Sequence, residues 1–239
     1  MKVEGRNAIY ELLKTDKEID KVLVRRDLID DASKRLINVL KSHKVKIQAV
    51  DKFVIDKESE SKRNQGFIAF TSDYKYFDLE DIIEAAKDKD GFILMLNEIL
   101  DPHNLGSIIR VAECAGVDGV VISKDRSASV NDTVMRISEG ALNHVKVARV
   151  VNINAAIEKL KENGYWIYGA ELGGGDIYKT DLTGKICLII GGEDSGVKRL
   201  TKSKCDGIVS IPMFGKVNSL NASVACGIAI YEAVRQRNL

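Results

Sequence analysis

Three short stretches of this 239-residue sequence gather residue types able to do chemistry, and each lies where a strand gives way to a loop or helix. In "NEILDPHNLGSIIRVAECAG" (97–116), Pro102 stops the preceding strand, Asn104 is placed to cap a helix, and Leu105, Ile108, Ile109, Ala112 and Ala115 recur at helical spacing. Arg110 falls off that apolar stripe. Gly106, one turn earlier on the face of Arg110, costs helix stability and is expected to leave open space beside the guanidinium. An asparagine cap alone is structural; a glycine one turn before an arginine, at the mouth of a sheet, also suits an anion or a substrate.

In "LIIGGEDSGV" (188–197) an apolar strand runs into Gly191 and Gly192, where a ligand can approach the backbone, with Glu193 and Asp194 behind them at the rim. The pair reads either as a solvated acidic turn or as carboxylates that suit a cationic ligand and repel phosphates. The stretch is not G-x-G-x-x-G and lacks the Lys-Ser/Thr of a phosphate loop, which argues against a dinucleotide site or an NTPase. In "IPMFGKVNSLNAS" (211–223), Ile211 ends a strand, Pro212 turns the chain, and Ser219 or Asn218 is expected to cap a helix with Leu220, Val224, Ile228, Tyr231 and Val234 on its apolar face. One cap needs one side chain. Ser219, Asn221 and Ser223 together exceed that need and point to hydrogen bonds with a ligand.

The elements that must position these stretches fall into two sets. Residues 1–75 read as a small α/β unit: a helix near 7–14, the strand "KVLVRR", a helix 31–43, and the strands "VKIQAV" and "GFIAFT", with "DKESESKRNQ" (56–65) as an exposed loop. Residues 76–90 form a linker and first helix (79–89). Residues 91–239 alternate strands ("FILMLN", "GVVIS", "VARV", "YWIYGA", "ICLIIG", "GIVSIP") with helices near 105–115, 131–139, 154–163 and 219–236. Continuous apolar strands alternating with helices predict an α/β fold with a mostly parallel sheet covered on both faces. Ligands in such sheets bind beyond the carboxyl ends of the strands, where the three stretches lie.

Composition narrows the classes further. No apolar run approaches a membrane span and the N-terminus has no signal-peptide core, so a cytoplasmic protein is expected. Cys114, Cys187, Cys205 and Cys226 are scattered, without a C-x-x-C pair, and His43, His103 and His144 stand at no ligand spacing, so buried thiols are expected rather than a metal site. The net charge of +1 divides unevenly: residues 1–75 hold 17 Lys/Arg against 13 Asp/Glu, and residues 76–239 hold 19 against 22. A basic front suits a polyanionic partner, although a surplus this small is also common on solvated surfaces.

The three stretches, in this order and spacing, resemble the three motifs of the SpoU (TrmH) family of S-adenosylmethionine-dependent RNA ribose 2′-O-methyltransferases, within the SPOUT class. The segments "VEGRNAIYELL" and "NQGFIA" resemble the small substrate-binding domain of its bacterial 23S rRNA guanosine branch. The resemblance implies an N-terminal domain like ribosomal-protein RNA binders, a C-terminal trefoil-knotted SPOUT domain, and a homodimer with the cofactor site near the interface. It implies that Gly191, Gly192, Ile211, Met213 and Leu220, with Ala170 at the end of "YWIYGA", hold the cofactor. It implies further that Arg110 is the catalytic arginine, with Asn104, Glu193, Ser219 and Asn221 orienting it and the ribose. Arginine titrates above about 12 and is a poor base, so Arg110 is either the general base of family accounts or a group that stabilises the developing alkoxide or clamps a phosphate. One departure is Lys146 in "GALNHVKVARV", where relatives more usually carry proline, which leaves the conformation of that loop open. A tRNA ribose 2′-O-methyltransferase would share all three motifs, and a non-catalytic RNA-binding protein would keep the basic front without needing Arg110 beside a glycine-lined pocket.

Overall fold

The computed structural model describes residues 2–15, 17–61, 63–72, 74–192, 196–217 and 219–238. The chain divides into two compact units, residues 1–75 and 76–239.

In the first unit, β1 (Lys2–Glu4), β2 (Glu18–Arg25), β3 (Ile47–Val50) and β4 (Phe67–Ser72) form one sheet in the order β1-β4-β2-β3, with only the β2–β3 pair parallel. Alternation along β2 sets its two faces. Val22 and Val24 pack with Phe67, Ala69 and residues of α1 (Arg6–Leu12) and α2 (Asp31–Ser42), while Leu23 and Ile68 pack with Val50 and Ile55 of α3 (Lys52–Glu58). Both β1 and α3 go beyond the elements expected from sequence, and α3 takes the first residues of the presumed 56–65 loop. The turn that follows α3 is held by Glu4, whose carboxylate accepts from the Ser59 hydroxyl at 2.8 Å, the Glu60 amide at 2.5 Å and the Ser61 hydroxyl.

The second unit is built on a six-stranded sheet, order β10-β8-β9-β5-β6-β7, in which every pair is parallel: β5 (Phe92–Asn97), β6 (Gly119–Ser123), β7 (Lys146–Val150), β8 (Trp166–Asp176), β9 (Ile186–Gly191) and β10 (Gly207–Ser210). Its helices are α4 (Leu79–Ala85), α5 (Pro102–Cys114), α6 (Asp132–Ile137), α7 (Ile153–Glu162), the short α8 (Arg199–Lys202) and α9 (Ala222–Arg237). Residues 76–90 belong to this unit: Phe77 bridges to Ala148, and Ile82 lies against Gly119, where any Cβ would collide with it. The apolar runs are apolar because both faces are covered. Ile93, Met95, Cys187 and Ile189 pack under α4 and α7, and the alternate residues Leu94, Leu96, Leu188 and Ile190 are as deeply buried on the other side.

The cysteine expectation holds for Cys187 and Cys226, which are buried, and burial pushes both thiols up. Cys205 is half-buried and pushed up to about 11 for the same first reason, whereas Cys114 is exposed. Lys146 opens β7 rather than sitting in a loop, and its ammonium reaches the Asp81 carbonyl at 3.0 Å. Among the described residues no helix is long and apolar enough to cross a membrane.

Candidate active site

The carboxyl ends of the central strands are brought side by side by register: Asn97 pairs with Gly191, and Ala170 with Ile190. Beyond them lies a cavity of about 380 Å³. Its walls come from the ends of β8, β9 and β10, from the 211–220 loop and from the first turn of α9, and they are mostly apolar, with Ile177, Ile190, Val209 and Ala225 among them. Ala170, Gly191, Gly192, Ile211, Met213 and Leu220, six residues separated by up to 50 positions in sequence, all line it, and so does Ser219.

Each glycine at this mouth has a backbone reason to be there. A Cβ on Gly191 would collide with the Gly196 carbonyl carbon, and one on Gly192 would stand 2.5 Å from the Glu98 carbonyl oxygen. The two glycines therefore let the chain fold back on itself; Gly196 donates its amide to the Gly192 carbonyl at 2.9 Å. Close approach serves the chain as well as any ligand. Glu193 and Asp194 lie outside the described residues, as does Asn218.

Strand β8 supplies a wall that the sequence did not announce. Ile208 pairs with Gly169 but the next residue, Val209, pairs with Gly175, so residues 170–174 face no partner on β10 and bulge from the ladder. Ala170, Glu171 and Leu172 of this bulge line the cavity. The glycine run 173–175 makes the bulge feasible: Gly173 has φ +79°, and a Cβ on Gly174 would stand 2.6 Å from the Ile208 carbonyl oxygen. That run was the available signal.

Helix α5 carries the remaining candidates. Its cap is Asp101, which accepts from the His103 amide at 2.9 Å, with Pro102 opening the first turn. The expectation that Asn104 caps α5 is therefore corrected; a stronger signal, Asp-Pro, stands three residues earlier. Asn104 is instead a buried residue inside the helix, and its Oδ1 accepts from Asn221 Nδ2 at 3.0 Å. Asn221, not Ser219 or Asn218, caps α9, its Oδ1 accepting from the Ser223 and Val224 amides at 2.9 and 3.4 Å. One amide thus ends the pocket loop, starts α9 and ties it to α5.

Arg110 is half exposed and pairs with Glu139, its Nη1 lying 3.1 Å from Oε1. Gly106 does not open space beside it. A Cβ there would stand 2.8 Å from Ile137 Cβ and 3.2 Å from the Val134 carbonyl oxygen, so the glycine exists to let α5 and α6 touch. The predicted residues thus form a pocket set (Ala170, Gly191, Gly192, Ile211, Met213, Ser219, Leu220) and a helix set (Asn104 with Asn221, and Arg110), to which the structure adds Glu139 as the partner of Arg110. Asn221, directly after Leu220, joins them.

The inward face expected for α9 is also corrected. Ala222, Cys226, Ala229, Ile230 and Ala233 are buried, while Val224 and Tyr231 are each 51% exposed. The helix is apolar on both sides, so the period of its larger side chains misreported which side faces the core.

A parallel α/β sheet with a glycine-edged, apolar cavity beyond its strand ends is the class of fold that holds a small organic ligand at a crossover of chain direction. Comparison with known proteins refines this. Residues 91–231 match the SpoU rRNA methylase family, and residues 2–77 match the RNA 2′-O ribose methyltransferase substrate-binding family. A Staphylococcus saprophyticus protein that carries the name TrmH family tRNA/rRNA methyltransferase is 41% identical over 239 residues, covering 99% of this chain and 96% of its own. YacO of Bacillus subtilis, similarly named, is 38% identical with the same coverage. The SpoU methyltransferase AviRb of Streptomyces viridochromogenes, solved with AdoMet, shares the fold with a TM-score of 0.64 at 24% identity, over 99% of this chain and 90% of its own. The TrmH/SpoU tRNA modifying enzyme of A. aeolicus aligns with a TM-score of 0.58 at 28% identity, over 67% of this chain and 82% of its own. The chain belongs to the SpoU (TrmH) family of RNA methyltransferases.

Proposed function

We propose that this protein transfers a methyl group from S-adenosylmethionine to a ribose 2′-hydroxyl of RNA, a guanosine of 23S rRNA being the favoured target, and that it does so in the cytoplasm as a homodimer. The observation that carries the reading is the cavity in which seven candidate residues from three separate chain segments meet. Its volume falls within the ~300–1,000 Å³ of small-molecule sites, its aliphatic walls suit a purine, and its glycine edges admit a ligand next to the backbone. The lining fits S-adenosylmethionine better than a phosphate ligand, since the described lining residues include no lysine or arginine.

Bound there, S-adenosylmethionine supplies a methyl group on a positively charged sulfur, open to in-line attack by a ribose oxygen. Gly191, Gly192, Ile211, Met213, Leu220 and Ala170 hold the nucleoside by shape and exclude water. Arg110 acts as a donor to developing negative charge on the 2′-oxygen or to the neighbouring phosphate, because a guanidinium keeps its proton and is a poor base. The proton then leaves to water or to the RNA. Glu139 holds the guanidinium in place at 3.1 Å until RNA competes for it. The Asn221–Asn104 hydrogen bond fixes the spatial relation of α5 to the end of the pocket loop, and Ser219 and Glu193 are assigned orienting roles on motif position alone.

The first unit is proposed as the RNA-binding domain, in keeping with its basic surplus and its family match. The exposed apolar side of α9, with Val224 and Tyr231, is proposed to bury against a second copy, and a trefoil knot in the second unit follows from the family resemblance. Because relatives are named for tRNA and rRNA alike, the test offers both. The expected result is calorimetric binding of S-adenosylmethionine followed by transfer of labelled methyl to 23S rRNA and not to tRNA. Transfer to tRNA alone would replace the target, and absence of binding would overturn the reading.

A further inference from the structure

Glu171 was not singled out by any motif, yet it is the one charged side chain among the described residues lining the cavity. It comes from the β8 bulge and lies beside the Gly196 turn, its Cδ 3.4 Å from where a Cβ on Gly196 would stand. Its two oxygens are in different situations. Oε1 pairs with the Lys202 ammonium of α8, while Oε2 is shut off from bulk water and has no hydrogen-bond partner among the described residues. A buried carboxylate oxygen without a donor is costly, and such an atom in a pocket wall marks a place where a ligand's donor is expected. Lys202 also decides the kind of donor. Because its ammonium already balances the carboxylate, the site offers hydrogen-bond acceptance rather than net negative charge, and a second cation would meet Lys202 at close range.

We propose that Glu171 is a specificity-determining residue of this pocket, accepting through Oε2 a hydrogen bond from a neutral donor, a ribose hydroxyl or the purine amino group, on the nucleoside half of the cofactor. This rests on the reading of the cavity as the S-adenosylmethionine site. It assigns the Lys202–Glu171 pair a second purpose beyond tying α8 to β8: holding the carboxylate in one orientation before the ligand arrives.

The test is calorimetric titration of the full chain and its Glu171→Gln variant with S-adenosylhomocysteine and with 5′-methylthioadenosine, which lacks the amino-acid portion. The variant is expected to lose about ten- to hundred-fold in affinity for both ligands. The unliganded variant keeps an oxygen toward Lys202 but loses the ion pair, so its melting temperature should fall by no more than about 2–4 °C. Lys202→Met, which leaves the acceptor in place but no longer orients it, should weaken both ligands less than Glu171→Gln does. Methylthioinosine then identifies the donor, the variant's loss persisting for a ribose hydroxyl and vanishing for the amino group, either of which upholds the assignment. Loss confined to S-adenosylhomocysteine would make the α-ammonium the partner and overturn it. So would unchanged affinity, or a fall in the melting temperature of the free variant that matches the loss of binding. If wild type binds none of these ligands, the cavity reading itself fails; if wild type and variant bind equally, only the role of Glu171 does.

Discussion

Asn221 does with one amide what two residues usually share: its oxygen caps α9 and its nitrogen donates to the buried Asn104. The two functions separate by substitution. Asn221→Asp keeps the cap and loses the donor, which should cost about 1 kcal/mol of stability, while Asn221→Ala loses both and should cost about 2 kcal/mol or more by urea unfolding. Equal stability of the two variants would show that the α5 link contributes nothing. At this scale the sequence was only partly legible. The motif residues of the pocket could be named because the glycines and the residues of "IPM" keep their chemistry wherever they lie. What each touches could not: "DPHN" offers two caps and "VNSLNAS" several, and only the winding of the chain decides that Asp101 and Asn221 serve.

Elements make the site by meeting closely, and the α5–α6 contact through Gly106 is the sharpest case. Gly106→Ala adds a methyl where Ile137 and the Val134 carbonyl already stand, so despite alanine's better helix propensity it should destabilise the second unit by about 1–3 kcal/mol. A stabilised variant would mean that the helices part without cost and would restore the open space first expected there. Strands β5 and β9 were readable because central parallel strands are apolar throughout, as "FILML" and "ICLII" are. The β8 bulge was not, because a bulge is a relation between two strands and leaves only the glycine run 173–175 as its local trace. α9 misled for a related reason, being apolar on both sides with its small residues inward.

For the whole molecule, the division into two units predicts separable unfolding. Burial pushes the Glu4 carboxyl up, but hydrogen bonds from the Ser61 hydroxyl, the Glu60 amide and the Ser59 hydroxyl outweigh it and hold the group down from 4.5 to about 2. A depressed carboxyl contributes stability that is fully present above pH ~4.5 and is lost as the pH falls toward 2. Glu4→Gln should therefore weaken the first unit at neutral pH, with the difference from wild type shrinking through that window and disappearing near pH 2. Trp166, the only tryptophan, sits on β8, so its fluorescence reports the second unit and should be unaffected while the far-ultraviolet dichroism transition moves. A shift of both signals together would contradict independent units.

The central claim is that a ribose oxygen, and not a base, receives the methyl group, with Arg110 as donor. Methylation of a ribose 2′-oxygen removes the nucleophile that alkali needs to cleave the next phosphodiester, so the product declares itself chemically. Purified protein should be given labelled S-adenosylmethionine and RNA, and the product digested with alkali. Label is expected in alkali-resistant dinucleotides, falling by about 10²-fold or more with Arg110→Ala. Label in single nucleotides, or an undiminished rate in the Arg110 variant, would contradict it.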